Sequence, residues 1–233
     1  MAAHRRGWII GGALAVLLVA VLAVVLPRTK AMPVKDIEVR GAQQLSTEEV
    51  AAATGIAPGT PMGAVDTHAA AVSVAGLPWV ETVTVSRGWP STITVDIAEH
   101  TAVAFFTGGD GAHLINADGD EFAVDDPPPG AVEITGDAAR GASGDSGGSS
   151  DSGGSVLRDA VEVAASLSEP AREAVKSLEA RSPHTFVLHL ADGATVVWGA
   201  SEDNANKALA LDTVLQREGS EFNISNPGQI TVR

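Results

Sequence analysis

The chain begins with a long run of apolar residues and continues as short segments in which apolar and polar positions alternate. Trp8 to Leu26 contains 19 residues without a charge, preceded by two arginines and followed by Pro27 and Arg28. As a helix this run would be about 28 Å long, close to the roughly 30 Å hydrocarbon core of a bilayer. We therefore expect a single N-terminal transmembrane helix at residues 8–26, in contact with the lipid bilayer.

A cleaved signal peptide is the alternative interpretation of this run. Its apolar region should have about 7 to 15 residues and end at a small-x-small site, and Thr29-Lys30-Ala31 is a poor match for such a site. Flanking charge does not decide the orientation, because basic residues occur on both sides. The short tail of residues 1–7 before a long acidic remainder favours a single-pass type II protein of the cell membrane, with its C-terminal domains extracytoplasmic.

After a linker at residues 27–33, the pattern predicts strand, helix, helix, strand, strand over residues 34–100. Val34 to Arg40 alternates as a half-buried strand does. Ser46 and Asp66 are typical helix caps, and each precedes an alanine-rich stretch. Val80 to Arg87 and Ile93 to Ile97 then alternate on either side of a turn at residues 88–91.

Residues 101–233 predict a β domain with helices, so that the whole chain is α+β. A Gly/Ser-rich stretch at residues 137–155 is too polar to bury a core, and we expect it to be a flexible insertion. Helical spacing predicts helices from Val156 to Leu167 and from about Asp203 to Arg217, the second with Ala205, Leu209 and Leu215 inward. The predicted strands are 102–106, 113–116, 122–124, 132–135, 186–190 and 195–199, with one or two more within 221–226 and 229–233.

Composition excludes several classes of function. A formal net charge of −14 argues against binding to nucleic acid. The absence of cysteine excludes disulfides, thiolate metal sites and cysteine nucleophiles. The histidines and carboxylates do not have the spacing of a known metal site, so we expect neither a metal nor a cofactor.

One string matches a catalytic motif. Gly144-Asp145-Ser146-Gly147-Gly148 has the sequence of a serine protease nucleophile, which leaves a membrane-anchored serine hydrolase as an alternative function. Such a serine needs a rigid strand-turn-helix setting, whereas both flanks here are Gly/Ser. The near-copy at residues 150–154 indicates that composition alone produces the string, and we expect no enzyme activity.

The order of elements at residues 34–100 resembles a POTRA domain, and a sequence motif within it resembles the FtsQ/DivIB family in particular. The motif consists of Leu77, Pro78, Val80, Val85, Arg87, Trp89, Pro90, Thr92, Ile93 and Val95. One departure follows it, because the family has an arginine after the glutamate where this chain has His100 after Glu99. A POTRA-type chaperone or secretion adaptor is a further alternative, but those chains usually carry tandem POTRA repeats or a β-barrel.

The resemblance implies a non-catalytic scaffold that acts in septal peptidoglycan synthesis at the division septum. It implies FtsB/DivIC-like and FtsL-like coiled-coil partners, and FtsK, FtsW and FtsI as further ones. The first of these would add a strand to the end of the β domain. The matching residues are Gln229, Ile230, Thr231, Val232 and Arg233, with Phe222, Ile224 and Ser225 before them.

Three other side chains are candidates for partner contacts. By the same resemblance, Arg181 and Lys207 could pair with partner carboxylates. Trp198, near the end of a strand, is either core packing or a hot spot for a partner. The alternative for residues 222–233 is that they only close the sheet.

Overall fold

The computed structural model describes Leu17, Val19 and residues 32–136, 150–182 and 184–232. The chain forms two compact units, which divide between Glu99 and His100. The first has a POTRA-like arrangement and the second is built on a mixed sheet, so the predicted α+β class is confirmed.

The first unit is a three-stranded sheet with two helices, in the predicted order. The central strand β3 pairs in parallel with β1 and antiparallel with β2. The elements are β1 (Asp36–Arg40), α1 (Thr47–Ala53), a 3₁₀ turn (Met62–Ala64), α2 (Thr67–Val74), β2 (Val80–Gly88) and β3 (Thr92–Glu99).

Local capping explains where the two helices begin. The Ser46 hydroxyl accepts a hydrogen bond from the Glu49 amide at 3.1 Å, and Asp66 accepts from the amides of His68 and Ala69. These contacts satisfy backbone donors that a helix start leaves free. Both predicted caps are confirmed. The core of the unit contains Val50, Met62, Val74, Ile93 and Val95, all fully buried.

The second unit is a nine-stranded sheet with three helices. Its strand order is β12-β11-β10-β9-β8-β7-β4-β5-β6. The strands are β4 (Ala104–Thr107), β5 (Ala112–Ile115), β6 (Glu121–Val124), β7 (Val132–Gly136), β8 (Val175–Ser182), β9 (Thr185–Leu190), β10 (Thr195–Gly199), β11 (Glu221–Asn223) and β12 (Thr231–Val232). The helices are α3 (Ser150–Ser166), α4 (Glu169–Ala174) and α5 (Asn204–Val214).

Two features of this unit differ from the sequence prediction. Helix α3 begins at Ser150, inside the stretch predicted to be flexible. Its apolar face from Val156 onward is buried, and extending a formed helix by a turn costs little. Helix α4 and strand β8 were not predicted. In β8, bulges break the alternation of apolar and polar residues by which a strand is recognised.

Several predicted features lie outside the described residues. Only Leu17 and Val19 of the expected membrane span are described, and both are helical and exposed. Across the described ranges, no helix has the length and apolar character needed to cross a bilayer. The Gly144 to Gly148 string, Pro183 and Arg233 are also outside these ranges.

Candidate functional site

Strand β12 is at one edge of the nine-stranded sheet. On its inner side it pairs antiparallel with β11, Val232 opposite Phe222 and Thr231 opposite Asn223. On its outer side the described part of the chain places no further strand. Thr231 is exposed, and Val232 is 44% exposed. An edge of this kind presents backbone N–H and C=O groups with which a strand from another chain can pair.

Buried side chains hold this edge against the core. Phe222 is 2% exposed and Ile224 is fully buried, and the Ile224 amide donates to the Val197 carbonyl at 3.0 Å. Gly219 lies so close to Phe222 that an added Cβ would approach its ring to 2.6 Å. The side chains of Phe222 and Ile224 thus form core packing beneath the edge, and their contact with a partner stays a prediction.

Other residues of the predicted segment are accessible. Ser225 is exposed and donates to Asn223 Oδ1 at 2.7 Å, and Gln229 is exposed in the turn before β12. Ile230 is half-buried and packs against the core. Of the predicted edge residues that the structure describes, Ser225, Gln229, Thr231 and Val232 are exposed on the surface.

A groove lies beside the edge, between helix α5 and the turn that precedes β12. Its volume is about 620 Å³. Leu209 lies in this groove and is 66% exposed, so the predicted inward position of Leu209 is wrong. Ala205 is also exposed and Leu215 is half-buried. The lining residues are Asp203, Asn206, Leu209, Ala210, Thr213, Asn226, Pro227, Gly228 and Ile230.

Lys207 and Trp198 lie behind this surface. Lys207 is 3% exposed, and its ammonium donates to the Ala200 carbonyl at 2.9 Å. Burial lowers the pKa of the Lys207 ammonium, against the opposing effect of Glu202 and Asp203. The Trp198 ring is fully buried, and its Nε1 donates to Asn204 Oδ1 at 3.0 Å.

Both side chains are therefore buried in the second unit. Lys207 is buried because the face of α5 with this residue and Leu211 turns toward the sheet. A contact of Lys207 with a partner carboxylate and a partner hot spot at Trp198 stay predictions.

Arg181 belongs to a different part of the sheet. It lies on β8, four strands from β12, which is about 19 Å at the usual strand spacing. Its Nε is 3.0 Å from Glu179 Oε2, and His189 Nε2 contacts the same oxygen at 3.0 Å. The hydrogen bond from His189 and then that from Arg181 lower the pKa of Glu179. A partner carboxylate would have to compete with Glu179 for Arg181.

The described residues contain no group of three or more histidines or carboxylates placed to hold a metal ion. The features that sequence reasoning missed are the groove and the exposed Leu209. An exposed leucine in a helix rich in alanine gives a weak signal, because apolar residues occur around most of that helix.

Comparison with known proteins identifies both units. Residues 32–100 match the family model described as POTRA domain, FtsQ-type. Residues 104–230 match the model described as cell division protein FtsQ/DivIB, C-terminal. The two matches together cover most of both units, up to the residue before β12.

Whole-chain relatives agree with these matches. The cell division protein FtsQ of Corynebacterium glutamicum is 38% identical over 94% of each chain. That of Mycobacteroides abscessus is 34% identical over 94% of this chain and 69% of the relative. That of Streptomyces collinus is 28% identical over 95% and 86% of the two chains. The chain therefore belongs to the FtsQ/DivIB family of cell division proteins.

Proposed function

We propose that the chain is a non-catalytic, membrane-anchored scaffold of the cell division machinery. Family membership supports the role in division, since the relatives are named cell division proteins. The uncharged run from Trp8 to Leu26 supports the anchor. The two units then lie outside the cytoplasm at the septum and bind proteins that build septal peptidoglycan.

The observation that carries this proposal is the edge at Thr231 and Val232, beyond which the described residues place no further strand. An extended segment of an FtsB/DivIC-like protein pairs its backbone with β12 and becomes the next strand of the sheet. An FtsL-like coiled-coil protein accompanies it. The exposed Leu209 beside this edge offers apolar surface to a side chain of the same partner.

The proposal includes other division proteins, for which it assigns a unit or segment but no residues. Proteins of the FtsK, FtsW and FtsI classes bind the POTRA unit or the membrane helix. The edge of β12 is assigned only to the strand-adding partner, since the mode of binding there follows from backbone geometry.

Depletion of the protein in its host tests the function. We expect filamentous or branched cells that fail to separate, and restoration of division by the full chain. Normal division after depletion would contradict a role as a division scaffold.

A variant that ends at Ile230 tests the edge in the same cells. It keeps the packing of Ile230 against the core but removes β12. We expect it to insert in the membrane and fold, yet not to restore division. Restoration would show that division does not require this edge.

A further inference from the structure

The turn that joins β2 to β3 lies at the end of the first unit where the chain enters from the apolar N-terminal run. The Lys35 amide donates to the Ser91 carbonyl at 2.8 Å, and Asp36 pairs with Thr92 at the start of both strands. Because β1 and β3 are parallel, both run away from this end. The tip of the β2–β3 hairpin and the beginning of the unit are thus neighbours.

Trp89 occupies this tip and is 54% exposed. It is followed by Pro90, which is also exposed. The base of the tip is fixed, because the Arg87 guanidinium donates to the carbonyls of Met62 and Val65. A large amphipathic ring is therefore held in solvent on a firmly attached hairpin.

The length of the connecting chain limits how far the tip can be from the membrane. Six residues lie between Leu26, the last of the apolar run, and Pro33, which makes seven Cα–Cα steps. Fully extended, they span at most about 25 Å. Pro33 forms an isolated antiparallel β-bridge with Pro61, which lies at the same end of the unit. The chain leaves this unit at Glu99, about 24 Å along β3 from Thr92.

We propose that Trp89 inserts into the membrane–water interface and fixes the membrane-proximal end of the POTRA unit to the lipid surface. Tryptophan favours this zone, because its ring is apolar while its N–H can reach water or a head group. The exposed Lys35, which lies beside Ser91, suits phosphate head groups. Asp36, in register with Thr92, and Asp66, which interacts with Arg87, are acidic residues at the same end.

This inference rests on the proposed membrane anchor and adds a second contact with the bilayer. The hairpin contact restricts the angle at which the unit stands on the membrane.

Quenching of tryptophan fluorescence by brominated lipid tests the contact. The full chain carries Trp8→Phe, so that the remaining tryptophans are Trp89 and the buried Trp79 and Trp198. It is reconstituted in phosphatidylglycerol–phosphatidylethanolamine vesicles, plain or brominated close to the glycerol. The fluorescence emission of Trp89 is obtained by subtracting the emission of the same chain with Trp89→Ala.

We expect the Trp89 contribution to fall about twofold in brominated vesicles, because an interfacial indole lies within contact of these bromines. A matched control moves the exposed tryptophan to the opposite end of the unit by combining Trp89→Ala with Gln44→Trp. The Gln44 amide is bonded to the Glu99 carboxylate there, and the new ring should not be quenched.

Flotation of the same vesicles distinguishes failure of the membrane anchor from failure of the hairpin contact. Chains that float while Trp89 emission is unchanged by bromine overturn the hairpin contact and leave the anchor standing. Equal quenching at positions 89 and 44 also overturns it, since the contact would not be specific to the tip. Chains that do not float with the vesicles overturn both the anchor and the contact.

Discussion

His113 Nδ1 lies 2.6 Å from Glu121 Oε1, which joins strand β5 to its neighbour β6 by a side-chain contact. The other ring nitrogen, Nε2, lies 2.7 Å from Asp110 Oδ1 in the preceding turn. The ring also stacks on Phe106 at a centroid distance of 4.6 Å. Two carboxylates therefore hold one imidazole on β5, the strand next to the edge strand β6 at the far side of the sheet from β12.

This arrangement predicts a pH-dependent contribution to stability. The hydrogen bond to Glu121 raises the pKa of His113 above 6.5, with partial burial opposing it and Asp110 adding to it. A raised pKa in the folded protein means that the folded state binds the proton more tightly. The stabilisation is complete below 6.5 and is lost as the pH rises through the folded value.

NMR titration of the His113 ring measures this directly. We expect a midpoint above 6.5, a return toward 6.5 in Glu121→Gln and a smaller return in Asp110→Asn. Asp118→Asn, in the turn between the same two strands, is the control and should leave the midpoint unchanged. A wild-type midpoint at or below 6.5 would contradict the prediction.

The Glu99 carboxylate should be important for the stability of the POTRA unit. It accepts hydrogen bonds from the amides of Gln43, Gln44 and Leu45 at 2.8 to 3.1 Å. It thereby satisfies three backbone donors with one side chain at the end of β3. Glu99→Gln leaves one acceptor oxygen, and we expect a loss of about 1–2 kcal/mol because bonds to a charged group are stronger than neutral ones.

Urea unfolding followed by fluorescence of the buried Trp79, in a chain with Trp8, Trp89 and Trp198 replaced by Phe, gives this value. Glu81→Gln, at an exposed position of the neighbouring strand, is the matched control and should change stability by less than about 0.5 kcal/mol. Equal effects of the two substitutions would show that the Glu99 contacts do not contribute specifically.

Elements that are determined by a few neighbouring residues could be predicted from the sequence, whereas elements that depend on distant pairing could not. The caps at Ser46 and Asp66 depend on a few neighbouring residues, and each is present as predicted. Strand β8 was missed because its buried Val175, Leu178 and Ala180 do not alternate regularly once bulges intervene.

Helix α5 shows why the candidate site was harder to predict than the fold. Ala205, Ala208 and Ala210 place apolar groups around the helix, so the pattern did not define which side faces the sheet. Packing against the sheet decides the phase, and it buries Lys207 while exposing Leu209. The order of strands in the sheet, which makes β12 an edge, is likewise a property of long-range pairing that no local pattern contains.

Leu209 should contribute to partner binding without contributing to stability. Its side chain is 66% exposed in the groove, so Leu209→Asp removes apolar contact surface without leaving a cavity in the core. We expect capture of the FtsB/DivIC-like partner to weaken by about tenfold, since a buried apolar contact at an interface is worth about 1–2 kcal/mol.

The control is Val72→Asp, which changes a similarly exposed apolar residue on helix α2 of the other unit. Capture is measured as the dissociation constant of purified full-length chains in detergent. Equal weakening by both substitutions would indicate an effect of added negative charge and would remove the groove from the binding surface.

Backbone pairing at β12 predicts that deleting the strand and shortening its side chains have different effects. In strand addition, the main chain supplies most of the affinity and side chains adjust specificity. We expect Thr231→Ala and Val232→Ala each to change the dissociation constant of the partner by less than about threefold. Ending the chain at Ile230 removes the backbone groups themselves and should weaken capture by at least about tenfold, since each lost bond costs about 1 kcal/mol.

The buried Trp198 provides the folding control for this comparison. Its Nε1 bond to Asn204 is in the core of the same unit, so its emission reports whether each variant has kept that core intact. A truncated chain with native Trp198 emission and undiminished capture would contradict strand addition. Alanine variants that lose capture as completely as the truncated chain would show that side chains, and not the strand backbone, carry the binding energy at this edge.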